Sequence, residues 1–319
     1  MQKTKYRLVA DIGGTNIRLA LCESGSEHLI AVQKLPCAQF DSLQSALAQY
    51  LSDYASDKAV IEACLAIAGP VTGDQISMTN LPWTFSKNEL RQQLQLDTLD
   101  VLNDFAAVAA SIPHLHANDL HQIGGGTADK SAPILAIGAG TGLGMASVVA
   151  NADGYQTFPA EGGHACISAE TAVERQIVDF HAEKSPKKLT PCREFFLSGR
   201  GLQSIYEGLG GSEKISPAEI SERACNNSDL LCRQTLSIFC AWLGSTCGDQ
   251  AVSAGSLGGV YIAGGMVKQF LPFLEQSDFR QRFENKGAMR AYLQRIPSYV
   301  VTREHVALLG NAKATLSRA

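Results

Sequence analysis

The sequence predicts an α/β protein of two similar lobes around a shared cleft, and three observations lead there. Strand-like apolar runs alternate with amphipathic helical runs along the chain. A glycine turn between two apolar strands, VADIGGTNIRLALCE at 9–23, returns as AIGAGTGLGMASVV at 136–149. The 319 residues, 45% of them hydrophobic, are enough to build two cores.

The elements follow in order. Residues 6–12, 17–23 and 28–35 read as three strands with tight connections. DSLQSALAQYLSDYA (41–55) reads as an amphipathic helix with Leu43, Leu47, Tyr50 and Tyr54 on one face. IEACLAIAGPV (61–71) is a buried strand stopped by Gly-Pro. Ser86-x-x-Glu89 reads as a capping box for the helix KNELRQQL. TLDVLNDF (98–105) is a strand running into the helix FAAVAASI. In the second half, PILAIGAG and MASVVA are strands about the second glycine turn, and a helix follows at 169–183. Ser216-Pro217-Ala218-Glu219 is a capping box with proline at the first helical position. A long, mostly apolar helix spans 228–255. GGVYIAGGMV (258–267) is a strand into a third glycine turn, with helices to 290, a last strand at 297–302 and a closing helix at 306–316.

Composition excludes several classes. With 18% charged residues, a net charge of −4 and no basic stripe, nucleic acid is not expected as a partner. The basic start is followed by an apolar stretch that breaks at Asp11 and Gly13, so no export signal is expected. The uncharged stretch 133–152 carries glycine at 138, 140, 142 and 144, which favours strand–turn–strand over a membrane helix. Nine cysteines without a CxxC pair read as reduced thiols in the cytoplasm, not as a zinc site. Cys225, Cys232, Cys240 and Cys247 are spaced to share a helix face as small packing residues.

Glycine turns let backbone N–H groups approach an anion, because no Cβ stands in the way. Neither turn fits GxxxxGK[ST], and a strand follows residues 138–144, so the dinucleotide fingerprint fails there. Asp11 has a reason beside a phosphate site if a cation lies between them; Mg²⁺ takes one or two carboxylates with water and substrate phosphates. Two ordinary hairpins are the bland alternative. Gly264-Gly265 ends another apolar strand, as a wall for a purine or as a plain strand-to-helix turn.

Asn103 and Asp104, in LNDF, sit at a strand end before a helix, where α/β folds place reactive groups and where such residues also cap helices. One can cap while the other reacts. EGGH offers Glu161 and His164 around two glycines, suited to sugar hydroxyls or simply a polar turn. Glu194 has no pattern that lifts it above a solvated charge.

DIGGTN, LAIAGPVTG, MTNLPW, LNDFAA, GAGTGLG, EGGH, LSGRGL, GGVYIAGG and LLGNA occur in the order found in bacterial glucokinases of the proteobacterial type. The sequence resembles that family, within the actin-like sugar kinases, over nearly its whole length. The resemblance implies an actin-like (ribonuclease H-like) ATPase fold, with residues 1–113 plus 305–319 as the small lobe and 114–304 as the large one. It implies transfer of the γ-phosphoryl group of ATP to the 6-hydroxyl of glucose, the first step of glycolysis, by a cytoplasmic homodimer that needs no nucleic acid or membrane. By the same resemblance Asp104 is the catalytic base, and Asn103, Glu161, His164 and Glu194 bind glucose beside it. Asp11, Gly13, Gly14, Thr15 and Asn16, with Gly138, Gly140, Thr141 and Gly142, form the metal and phosphate region. Asp11 meets Mg²⁺ directly or through water, and Gly264 and Gly265 form the adenosine-side turn.

Arg200 in LSGRGL stands where the family often carries proline, which bears on nucleotide affinity and not on reaction type. The cysteine-rich zinc motif of the repressor–ORF–kinase group is absent, as is an N-terminal DNA-binding helix pair, which disfavours a sugar-responsive repressor. Competing readings are a kinase for another hexose or phosphoryl donor, and a glucose-binding regulator without catalysis. A chaperone-type ATPase leaves EGGH without a reason.

Overall fold

The structure is a computed structural model and describes residues 4–152, 154–186 and 189–316. The chain divides into two compact units, Met1–Leu115 with Glu304–Ala319 and His116–Arg303.

The first unit is built on a five-stranded mixed sheet. β1 (Lys5–Ile12), β2 (Asn16–Glu23) and β3 (Ile30–Pro36) form an antiparallel meander, and β4 (Ala59–Ile67) and β7 (Thr98–Asn103) extend it in parallel, giving the order β3-β2-β1-β4-β7. Between them, β5 (Gln75–Ser77) and β6 (Thr84–Ser86) make a small hairpin. β4 buries residues of both parities from Ala63 to Ile67, as a central parallel strand should. α1 (Leu43–Tyr54) starts at a Ser42 capping box and buries Leu43, Ala46, Leu47 and Tyr50. Tyr54, expected on that face, is instead 37% exposed, its ring lying 5.1 Å from that of Tyr50. The periodicity is right, but the helix ends there and its last turn leaves the core.

α2 (Lys87–Gln93) corrects a second expectation. Ser86 accepts the Glu89 N–H, but the reciprocal half of the capping box is not formed. Asp74 supports the helix start differently: its carboxylate accepts the Ser86 hydroxyl at 2.6 Å and the Asn88 N–H at 2.9 Å. α3 (Asp104–Ser111) follows β7 without a loop, and the helix Val306–Lys313 packs on it.

The second unit carries a six-stranded sheet of order β11-β10-β9-β12-β13-β8, built from β8 (Leu120–Ile123), β9 (Ile134–Ala139), β10 (Leu143–Asn151), β11 (Gly154–Ala160), β12 (Val260–Ile262) and β13 (Ser298–Val301). Its helices include α4 (Ala172–Lys184), α5 (Arg193–Phe196), α6 (Gly199–Gly208), α7 (Pro217–Cys225), α8 (Leu230–Ala254) and α9 (Gly265–Gln269), with shorter ones up to Gln294. The Ser216–Glu219 capping box is formed in full at α7. α8 starts at Asp229, which accepts the Cys232 N–H, and ends at Gly255 in the left-handed region at φ 62°. It is buried on most sides, with Phe239, Trp242 and Leu243 fully covered. Cys232, Cys240 and Cys247 pack inside as expected, but Cys225 belongs to α7 and is exposed, because the chain turns between the two helices. Among the described residues no helix is long and apolar enough to cross a membrane.

Candidate active site

In the first unit the residues singled out by sequence gather at the carboxyl ends of β1, β4 and β7. The register pairs Asp11 with Ala66, and Ile12 with Ile67, which in turn pairs with Asn103. Asp11 and Asn103 therefore sit two strand spacings apart, with β4 between them, a lateral distance of about 10 Å at the usual strand spacing. The 13–16 turn closes with Gly13 N–H donating to Asn16 O at 3.0 Å, and Cys37 N–H donating to Thr15 O at 2.9 Å. Asn80 of the MTNLPW segment lies against Gly14 so closely that a Cβ there would sit 2.8 Å from the asparagine's own.

Asn103 is the N-cap of α3: its Oδ1 accepts the Phe105 N–H at 3.0 Å and the Ala106 N–H at 3.2 Å. Its Nδ2 donates to Gly69 O at 3.2 Å. Gly69 has φ 124°, a conformation that L side chains rarely adopt, so AGPV needs glycine here. With Oδ1 taken twice, Asn103 can serve a ligand only through its second Nδ2 hydrogen. The neighbouring Asp104 accepts the Phe105 N–H on Oδ1 at 2.9 Å, which leaves Oδ2 for chemistry. Burial pushes its carboxyl up to about 6, the Phe105 N–H opposing this and the charge of Asp11 adding to it. Asp11 is also raised by burial, against the pull of Arg18 and His305. Arg18 Nη1 donates to Asp11 Oδ2 at 3.2 Å, a pairing written into the hairpin, where Asp11 and Arg18 are directly opposed.

In the second unit four separate motifs converge. The 138–142 turn joins β9 to β10, with Gly138 inside β9 opposite Gly144, and Gly140 N–H donating to Gly142 O at 2.8 Å. Glu194 Oε2 accepts the Leu143 N–H at 2.8 Å, and a Cβ on Gly142 would run into that carboxylate. Gly199 N–H donates to Gly140 O at 2.8 Å, which brings the LSGRGL segment to the same turn. The EGGH turn, a short 3₁₀ element at Gly162–His164, rests on β10: a Cβ on Gly163 would strike Leu143 O, and one on Gly162 would meet the Met145 sulfur. Glu161 and His164 stay exposed, 3.8 Å apart. Gly264, at φ 104°, ends the chain leaving β12, and a Cβ there would lie 3.1 Å from Ala139 O. Arg200 is exposed in the first turn of α6, a position open to proline and arginine alike.

Some neighbours carried no signal in the sequence. Arg193 lies beneath Glu194, 7% exposed, with Nη2 donating to Asp249 at 3.4 Å and with Nε and Nη1 lacking a partner. His305, in the left-handed region at φ 56°, acts on Asp11 from the last helix's N-cap.

A glucokinase family model matches residues 8–318. A glucokinase of Tolumonas auensis is 40% identical over 309 residues, 95% of each chain. The chain belongs to the glucokinase family. A glucokinase of Neisseria meningitidis is 42% identical over 313 residues, covering 97% of this chain and 94% of that one. Among solved structures, a glucokinase from an Antarctic psychrotroph superimposes with a TM-score of 0.87 at 36% identity, over 97% of this chain and 98% of that one. The actin-like sugar kinase fold of glucokinases is thus the fold of this chain, and the mixed sheets of both units are its glucokinase framework.

Proposed function

We propose that this member of the glucokinase family transfers the γ-phosphoryl group of ATP to the 6-hydroxyl of glucose, giving glucose 6-phosphate and ADP. Family membership supports the substrates, and Asp104 is the observation that carries the chemistry. Its carboxyl is pushed up to about 6 by burial and keeps one oxygen clear of the helix it opens. A base near neutrality is strong enough to take a hydroxyl proton and weak enough to be ionised at working pH.

In this reading Asp104 accepts the proton of the 6-hydroxyl as that oxygen attacks phosphorus. Asn103 donates to the sugar through its second Nδ2 hydrogen. Glu161, His164 and the Oε1 of Glu194 exchange hydrogen bonds with the remaining hydroxyls. The 13–16 and 138–142 turns present N–H groups to the phosphates, and Gly264-Gly265 lies on the adenosine side. Phosphoryl transfer depends mainly on such positioning and charge stabilisation.

Mg²⁺ fits what is present. Asp11 is a single carboxylate at the start of the 13–16 turn, which suits an ion that takes one or two carboxylates and the rest of its ligands from water and phosphate. Asp11 keeps Oδ1 free of Arg18 and would hold the ion directly or through water. The ion's contribution is to neutralise charge on the phosphates. The reading takes the enzyme as a cytoplasmic homodimer acting at the entry to glycolysis.

The test mixes purified protein with Mg-ATP and glucose and follows ADP and sugar phosphate together, with Asp104→Asn beside it. Equal formation of both products, lost in the variant, supports the reading. Glucose binding without sugar phosphate would replace it with a regulator, and a panel of hexoses and donors would expose a different substrate.

A further inference from the structure

Two cysteines flank the sugar-side residues of the second unit. Cys166 follows His164 by two positions, and Cys192 precedes Glu194 by two. The two are paired in an isolated antiparallel β-bridge. Arg193 N–H donates to Ala165 O at 2.9 Å, so the bond joins the residue after one cysteine to the residue before the other. That pattern marks Cys166 and Cys192 as a non-hydrogen-bonded pair, the type whose Cα atoms approach to about 4.5 Å with side chains on one face. Disulfides span Cα separations of roughly 4.4–6.8 Å. Both cysteines are free thiols, Cys166 exposed and Cys192 half-buried. Cys192 Sγ also lies 4.0 Å from His164 Nδ1, within reach of a weak S–H contact to the imidazole. Other cysteines share none of this: Cys22, Cys37, Cys64, Cys232, Cys240 and Cys247 are buried, and Cys225 is on α7.

We propose that Cys166 and Cys192 form a redox-sensitive thiol pair, which hydrogen peroxide converts to a disulfide that weakens sugar binding at His164 and Glu194. The second half of this statement rests on the functional reading above. The chemistry balances. The Cys192 thiol passes its proton to His164 Nδ1, and the thiolate attacks one peroxide oxygen. The O–O bond breaks, and the departing hydroxide recovers the proton as water, leaving a sulfenic acid on Cys192. The Cys166 sulfur then attacks the sulfenic sulfur, the S–O bond breaks, and the hydroxide leaves with the Cys166 proton as a second water. Two thiols lose two electrons, and the peroxide is reduced to two waters.

The consequence for the sugar follows from geometry. Directly opposed side chains in an antiparallel pair have Cβ atoms about 4.5–5.5 Å apart, whereas a disulfide holds them near about 3.8 Å. In a non-hydrogen-bonded pair the Cβ atoms start at the short end of that range, so oxidation draws them together by roughly 0.7 Å and fixes the torsion between the start of α5 and the segment after EGGH. It also removes the thiol beside His164. Binding groups must be held to within about 0.5 Å, and a misplacement of about 1 Å can cost on the order of 100-fold. Glu194 has little freedom to compensate, because its Oε2 is tied to the Leu143 N–H.

The test oxidises the full-length protein with hydrogen peroxide, blocks the remaining thiols, and maps digested peptides by mass spectrometry. Glucose KM and calorimetric glucose affinity are measured before oxidation, after it, and after dithiothreitol. The expected result is a Cys166–Cys192 cross-link with the loss of two hydrogens, a glucose KM raised about 10-fold or more, and recovery on reduction. Cys166→Ser should keep the glucose KM of the reduced parent after the same treatment. Both thiols remaining free would overturn the proposal, as would a cross-link that leaves glucose affinity unchanged. If the reduced protein neither phosphorylates nor binds glucose, the functional reading fails, and the peptide map alone decides the thiol pair.

Discussion

Glu194 Oε2 accepts the Leu143 N–H at 2.8 Å, so one carboxylate is built into the corner where the 138–142 turn enters β10. The contact explains why a glycine precedes Leu143, since any side chain on Gly142 would collide with Glu194. It also divides the work of the carboxylate: Oε2 fixes the side chain and Oε1 is left to act. A turn suited to phosphate and an acid suited to sugar are thereby held as one piece within this unit.

Gly142→Ala tests that linkage. The new methyl must displace the Glu194 carboxylate, while the fold of α5 and β10 has no other reason to fail. Glucose KM and ATP KM should both rise, with kcat/KM for glucose falling by about 10- to 100-fold, since a shift of about 1 Å at a positioning group costs that much. An increase in ATP KM alone would show that Glu194 moves independently of the turn.

Asp104→Asn should lower kcat by about 10²–10⁴-fold, the usual value of a positioned base, with glucose affinity largely kept. Stability should move the other way. A carboxyl raised to about 6 when folded, against an ordinary value near 3.9, favours the folded state only while protonated. That contribution is full below about pH 4 and is lost as pH rises through about 6. The amide keeps the shape without the buried charge, so the variant should gain on the order of 3 kcal/mol at pH 8 and little at pH 4. Thermal unfolding of both proteins at the two pH values reads this difference.

The same group sets the acid limb of the pH–rate profile. Asp104 must be ionised to accept a proton, so kcat/KM should be level above about pH 7 and fall about tenfold per pH unit below about pH 6. Removing the charge of Asp11 should relieve Asp104 and shift the limb to lower pH, because that charge helps to raise it. A limb that stays in place in Asp11→Asn would mean that burial alone sets the value.

That one of Asn103 and Asp104 caps α3 was legible, because capping obeys local spacing, but the sequence left open which one; in the structure it is Asn103. The α7 capping box was legible for the same reason, whereas at Ser86 only half of the pattern forms, and Asp74, twelve residues away in sequence, binds the Ser86 hydroxyl and the Asn88 N–H. Glu194 lies beyond what local spacing reveals. Its partner is Leu143, fifty-one residues distant, and no spacing rule reaches that far. β11 escaped notice because GYQTFPA is an exposed edge strand with a proline, so it lacks the apolar alternation that betrays a half-buried strand. Arg193 was hidden because a buried arginine looks in sequence like any surface charge.

A buried ion pair between α4 and the helix Phe279–Glu284 supplies a stability test. Arg282 Nη1 donates to Glu174 Oε1 at 2.6 Å and Nη2 to Oε2 at 3.2 Å, while Nε donates to Ser245 Oγ at 3.0 Å. Their side chains are 11% and 2% exposed, so the Glu174 charge cannot turn to water if Arg282 is removed, whereas Glu170, which also lies 3.1 Å from the Arg282 Nε, is 28% exposed and can. Arg282→Met should therefore lower stability by about 3–5 kcal/mol, the cost of stranding a buried charge. Glu174 also completes the Thr171 capping box of α4, and glutamine can fill that role without charge. Arg282→Met combined with Glu174→Gln should then recover most of the loss. Denaturant unfolding of the single and double variants decides the matter: if the double variant is no better than Arg282→Met alone, the cost lies in lost packing around the guanidinium and not in the stranded carboxylate.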